Sequence, residues 1–477
     1  MKKILRPILC GGVLAALLCT PSLAAEQGDF SLLVNGEPVT FTDAAPVLKD
    51  GRSFLPAVTT FQALGFAQED IVWNGETQTV TASKDGAAIS LTVGDSAVTW
   101  TGPSWSQTSE DGTSGSAGGS GGIAYLDAAP YIDPATNRTY IPVGLVADIL
   151  GCRVAWDGAT STVIIDDVDA ILAENTETYE RMDQYLDYAR KYSQGNYQVE
   201  GSYLLTSAPG EMESGAEIIH TVGGGYSMVT NQTAMQFAMD MSIGGTIMGA
   251  PIAPTDMNLD MRADLDTGML YLYFQSEDLE QLMNNNVQVN GETIEFQIPD
   301  QWYSLDMKAV YDEAYGPGFY EELIALSAVS QEAAFAQTLE ELLKSDTLIL
   351  TSTATTSDYL EALNQLLGDS HFQKSGSTYT STLEQDGVTI LFHLYTSGGQ
   401  VNGYGMEMTA SETTGMEMTM TMEMKGDDMS LLLEMAGMTM EMDGTYRPSS
   451  TAPETEPPAG ATVVDLWELL TTPVSEL

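Results

Sequence analysis

One stretch of this chain occurs twice. Residues 46–80 carry Gly51-Arg52, Pro56, Gly65, Trp73 and the pair Thr79-Val80. Residues 130–165 repeat that order with Asn137-Arg138, Pro142, Gly151, Trp156 and Thr162-Val163. The first three landmarks are 86 positions apart (138 − 52) and the last two 83 (156 − 73), so one short deletion separates the copies. A duplicated unit that cannot bury its apolar side alone must stack on its copy. Each copy reads as β-α-β-β. A short strand and a turn lead to a second strand that ends at proline. A two-turn helix (57–64 and 143–150) follows, opened by that proline and closed by Gly65 or Gly151, and two strands complete the unit. Val58, Phe61 and Leu64 fall on one face of the first helix, and Val146, Ile149 and Leu150 on one face of the second. Upstream, 30–42 alternates around Asn35-Gly36, a hairpin signal.

With these residues the region 30–167 resembles the copper amine oxidase N-terminal-like (stalk) domain. The resemblance implies a duplicated, non-catalytic module on an exported protein of a Gram-positive bacterium. Where that family usually has Leu-Arg after the turn proline, this chain has Ala57-Val58 and Val143-Gly144. Any role of that arginine is therefore absent. The oxidase chemistry of the family's namesake needs an Asn-Tyr-Asp/Glu motif and three copper-ligating histidines. Here Asn196-Tyr197 is followed by Gln198, and the three histidines, His220, His371 and His393, are scattered. The oxidase does not carry over.

The ends and the composition place the chain. Residues 1–24 combine a basic start, a short apolar run and the small residues Ser22 and Ala24, the pattern of a secretory signal peptide. Cys10 and Cys19 in that segment leave lipid attachment as the alternative. Beyond it only Cys152 remains, so no intramolecular disulfide is expected, and its apolar surroundings predict a buried thiol. No later run is long and apolar enough for a transmembrane helix. A net charge of −50 opposes nucleic acid and anionic membranes as partners.

The glycine-rich segment 101–122 between the copies reads as a flexible loop and lacks the lysine of a phosphate cradle. Residues 168–194 have helical spacing and form the expected connecting helix. Over 195–446 the period changes to two, the mark of a long antiparallel sheet. Met235 to Ile243, Met257 to Leu265 and Met416 to Met424 each alternate apolar with polar residues, and Met438, Met440 and Met442 continue the pattern. Helices at 319–329, 332–343 and 357–367 interrupt it. This order resembles the half-barrel of bacterial lipoprotein carriers. The fold class is α+β. Residues 447–462, rich in Pro, Ser, Thr and Glu, read as a disordered linker. The amphipathic tail 463–477 is expected to fold back or bind a partner.

Chemistry is sparse. The scattered histidines give no nucleophile–base pair, and the acidic run Asp166-Asp167-Val168-Asp169 lacks calcium-loop spacing. No catalytic, cofactor-binding or metal-binding residue is assigned, and no cofactor is expected. The 25 methionines are the unusual feature. On alternating strands they form one apolar wall, adaptable to varied ligands. The expectation is an exported, envelope-associated, non-catalytic protein that takes a lipid-like apolar ligand, with a cell-wall or envelope component as a further partner. A structural or adhesive protein with a closed core is the alternative. A second alternative is Cu(I) binding by Met-x-Met strands, which would be lost on changing the methionines from Met416 to Met424 to leucine.

Overall fold

The computed structural model describes residues 30–471, apart from 85, 102–104, 109–113, 118–121, 127, 144–150, 208–209, 212–216, 248–249, 279, 282–287, 290–291, 294–297, 346, 386, 411–417 and 436. The expected signal-peptide segment, the expected second repeat helix with Val146, Ile149 and Leu150, most of the glycine-rich loop, and Met416 lie outside the described residues. The chain divides into two compact units, Met1–Thr176 with Leu342–Glu361, and Glu177–Glu341 with Ala362–Leu477.

In the first unit the two copies join through their proline-ended strands. Arg52–Pro56 and Arg138–Pro142 pair antiparallel, with Leu55 opposite Ile141, and both side chains are fully buried. Each copy then adds its tryptophan and Thr-Val strands, Ile71–Asn74 with Thr79–Lys84 and Arg153–Asp157 with Thr162–Asp166. The first pair continues antiparallel into Ala87–Thr92 and Ala97–Thr101. The second pair is completed differently, by the N-terminal strand Ser31–Val34, which lies parallel to Thr162–Asp166. Asn35 and Gly36 both have positive φ (52° and 82°) and form the expected hairpin turn into Glu37–Pro38. One core draws on both copies, including Leu32, Phe61, Val80, Ile89, Ile141, Val163 and Ile165. Neither copy encloses that core by itself.

Two expectations for this unit change. The first helix runs Ala57–Ala63 with Pro56 just before it, and Val58 points out, 42% exposed, while Ala57, Thr60 and Phe61 are buried. Thr60 turns inward because its hydroxyl donates to the Pro56 carbonyl at 2.9 Å. Residues 342–361, which alternation alone places with the sheet domain, instead cluster with the first unit. Polar contacts hold them there. The Ser352 N–H donates to Asp157, the Thr356 N–H to Asp166, and Lys344 pairs with Asp169 at 2.7 Å.

The second unit is built on a 15-stranded sheet. Its order runs from Gln373–Ser375 through Thr378–Gln385, Val388–Ser397, Gln400–Ala410, Met418–Lys425, Asp428–Met435 and Met438–Ser449. It then crosses to Asn196–Ser207 and continues through Glu217–Thr230, Ala234–Ile247, Ala250–Asp264, Met269–Gln275 and Trp302–Asp306. Pairing is antiparallel to that point, and the sheet is partly curled, a half-barrel. The fold class is α+β.

Segment 168–194 is not one helix. It forms Val168–Glu174 and Glu180–Arg190, because the Asp369 carboxylate accepts from the Glu180 and Arg181 N–H groups and starts a new helix there. The helix Glu180–Arg190 is then tied down at its other end, where Tyr188 and Tyr192 both donate to the Gly426 carbonyl. The expected helices are Phe319–Glu332, Phe335–Lys344 and Thr356–Leu367, and a further one, Met307–Tyr315, starts on the Asp306 side chain.

The expected disordered linker is instead a fixed strap. The strand Met438–Ser449 runs into it, the Glu454 N–H donates to Gln236, and Arg262 grips Glu454 and the Glu456 carbonyl. The tail folds back, Val463–Asp465 pairing parallel with Trp302–Asp306 at the sheet edge before the short helix Leu466–Thr471.

Candidate ligand-binding face

Strand alternation and register place most strand methionines of the second unit on one side of the sheet, Met269 excepted. Met406 faces Met422 and Met408 faces Met420, while Met418 faces Met435 and Met424 faces Met429. The rows continue through Leu431–Met442 and Leu433–Met440 to Tyr203 and Leu205, then to Val222, Met239, Leu259 and Met261. Threonine, glutamate and serine occupy the alternate positions, as the alternation in the sequence requires.

This face is closed at one end and open at the other. At the closed end Tyr185, on the helix Glu180–Arg190, packs edge-on against Phe392 and Tyr404, and Met406 and Met424 are buried (8% and 7% exposed). Toward the opposite strand ends Met418, Met420, Met422, Leu431 and Leu433 are only half-buried, and Met438 is 39% exposed. The expected preformed groove is therefore an open wall with one covered end. A depression of about 450 Å³ lies on the other side of the sheet, lined by Tyr271, Ser304 and the strap from Glu456 to Ala461.

Two glycines of the same face allow a close backbone approach. Gly201 and Gly444 are directly opposed, and the Tyr226 ring covers them, its hydroxyl donating to the Asp443 carbonyl at 2.9 Å. Burial pushes the Tyr226 hydroxyl up to about 12, so it stays a donor. A run of glycines inside a strand, here Gly223-Gly224-Gly225, is the sequence signal for such an approach.

The polar side holds a small network. Glu423 accepts from Lys425 at 2.8 Å and from the Tyr395 hydroxyl at 2.5 Å, which together lower its carboxyl below the usual range. His393 contacts Thr380 at 2.8 Å and sits 3.4 Å from Glu407. His371 lies beside Glu177, and His220 is exposed on its strand. The three histidines stand on three separate elements. Among the described residues no group of three His, Cys, Asp or Glu side chains could hold a metal ion. Nor, among them, is any helix long and apolar enough to cross a membrane. Cys152 is buried, as its apolar neighbours predict, and burial pushes its thiol up to about 12.

Residues 33–165 match the copper amine oxidase N-terminal domain family. No protein in the curated set matches the chain. Among solved structures the chain is similar to a β-barrel-like protein of a domain of unknown function from Brucella abortus. That similarity has 11% identity and a TM-score of 0.18, and it covers 55% of this chain and 98% of that one. A domain that is non-catalytic in its own family, beside a large antiparallel sheet, fits a binding or structural module.

Proposed function

We propose that this is an exported, envelope-associated, non-catalytic protein whose second unit takes a lipid-like apolar ligand on its methionine face. The observation that carries the reading is the half-exposed apolar wall running from Met418 to Met442 across three neighbouring strands. Contiguous exposed apolar surface on a folded protein marks interaction sites. Covering it releases about 25 cal/mol for each Å² of apolar area removed from water. Methionine suits such a wall, because its unbranched side chain re-packs around chains of different shape. The first unit, matched to a non-catalytic domain, would serve as the attachment module toward a cell-wall or envelope partner.

The test is native mass spectrometry of the protein purified from its own envelope without stripping. A bound mass of lipid size, lost on changing Met420 and Met422 to glutamate, is the expected result. The bare chain mass, with no lipid taken up from added vesicles, would replace this reading with that of a structural module.

A further inference from the structure

The open end of the methionine face carries a feature that apolar burial does not explain. Met418, Met435 and Met438 stand in one row on three consecutive strands, Met418 directly opposite Met435 and Met435 directly opposite Met438. Met435 and Met438 flank the turn between their strands, and Gly437 there has φ 78°. All three lie on the same side of the sheet at the end away from Tyr185. Met438 is 39% exposed and the other two are half-buried. Side chains this exposed add little core, and strands ordinarily take β-branched or aromatic residues there.

We infer that this row is a three-thioether site for a soft monovalent metal ion of the Cu(I) class. Neighbouring strands lie about 4.8 Å apart. Directly opposed Cβ atoms are then about 5 Å apart. With three rotatable bonds each, the outer two side chains lean toward the central Met435 and bring three sulfurs onto one ion. Thioether sulfur is soft and uncharged. It holds Cu(I) and discriminates against Zn(II), Mg(II) and Ca(II), which prefer nitrogen or oxygen ligands. The residue opposite Met438 on its other side is Ser207, which accepts from the His220 N–H at 3.0 Å, so the nearest imidazole stands one strand beyond the end of the row. The site stands on the row itself and does not depend on the apolar-ligand reading.

Silver(I), a redox-inert probe of the same softness, tests it by calorimetric titration of the full chain. One equivalent should bind, and the triple change M418L/M435L/M438L should weaken binding at least tenfold. M424L, in the same strand but buried, should leave it unchanged. Leucine conserves the volume of methionine, and the triple variant's fold is checked by its far-UV spectrum. With ¹³C-methyl methionine, three methyl signals should shift together on adding silver. Absence of binding, equal binding by the triple variant, or equal affinity for Zn(II) would overturn the site.

Discussion

Gly201 and Gly444 face each other across adjacent strands of the second unit, and the ring of Tyr226 fills the space their missing side chains leave. A Cβ on Gly201 would stand 1.8 Å from the Asp443 carbonyl oxygen, and one on Gly444 would stand 2.3 Å from the Tyr226 hydroxyl. Strands Asn196–Ser207 and Met438–Ser449 are far apart in sequence yet central in the sheet. Their backbones approach closely at this point. In designed sheets, aromatic cover of glycines is one of the devices that pin strand register.

Gly201→Ala should therefore destabilise the second unit severely, by more than about 3 kcal/mol, the range reserved for backbone clashes in a core. Tyr226→Phe keeps the ring and loses only the bond to Asp443, costing about 1–3 kcal/mol. Gly426→Ala, where a Cβ would meet nothing, should cost less than Gly201→Ala despite its φ of 64°. Denaturant melts of the three variants check the ranking, and a Gly201→Ala protein as stable as the parent would contradict it.

Arg262 anchors the strap 447–462 beside the backbone bonds at Glu454 and Thr462. Arg262 is 7% exposed, pairs with Glu454 at 2.6 Å, donates to the Glu456 carbonyl and lies 4.8 Å over the Trp302 ring. Removing one partner of a buried ion pair costs about 3–5 kcal/mol, because the other charge is left stranded. Glu454 is 62% exposed and can return to water, so the cost here falls at the low end. Arg262→Ala should free the strap, and cleavage between 450 and 461 in limited proteolysis should rise at least tenfold. Arg262→Lys should restore little, since a point charge cannot reproduce the forked contact.

Cys152 tests the core of the first unit. Burial, reinforced by the negative field of Asp167, pushes its thiol to about 12. At pH 8 a thiol so shifted holds about 10³-fold less thiolate than an ordinary one. It should resist iodoacetamide in the folded protein and react fully in guanidinium. Fast labelling of the native chain would show that the core there is open.

Much of this was legible in the sequence, and the misses have a common cause. Alternation placed the methionine strands, and Asn35-Gly36 placed the hairpin, because each depends on neighbouring residues. The break between Glu174 and Glu180 was invisible because the group that starts the second helix, Asp369, lies 189 residues away. The strap looked disordered because composition does not reveal that Arg262 waits for Glu454. The helix Met307–Tyr315 is different. Its Asp306 N-cap is a local signal that precedes the helix directly in the sequence. Of the candidate face, the apolar side was readable, and its opening at one end was not, since that depends on where Tyr185 packs.

Asp157 gives a pH-dependent test of how 342–361 is held. Burial alone would raise its carboxyl, but donors from the Ser352 N–H, the Thr160 hydroxyl and the Ala159 N–H outweigh burial and bring it to about 2. A carboxyl depressed in the fold stabilises it above the unfolded value near 3.8 and loses that contribution as pH falls toward 2. Asp157→Asn keeps the shape and removes the charge, so it should cost about 1.5–3 kcal/mol at pH 6, the worth of hydrogen bonds to a charged group. The gap between parent and variant should be constant above pH 5 and shrink between pH 4 and pH 2. Denaturant titrations of both proteins at pH 6 and pH 2.5 measure it directly. Comparing the two cancels the other carboxylates that titrate in the same window. A gap of equal size at both pH values would mean that Asp157 holds the segment by shape alone.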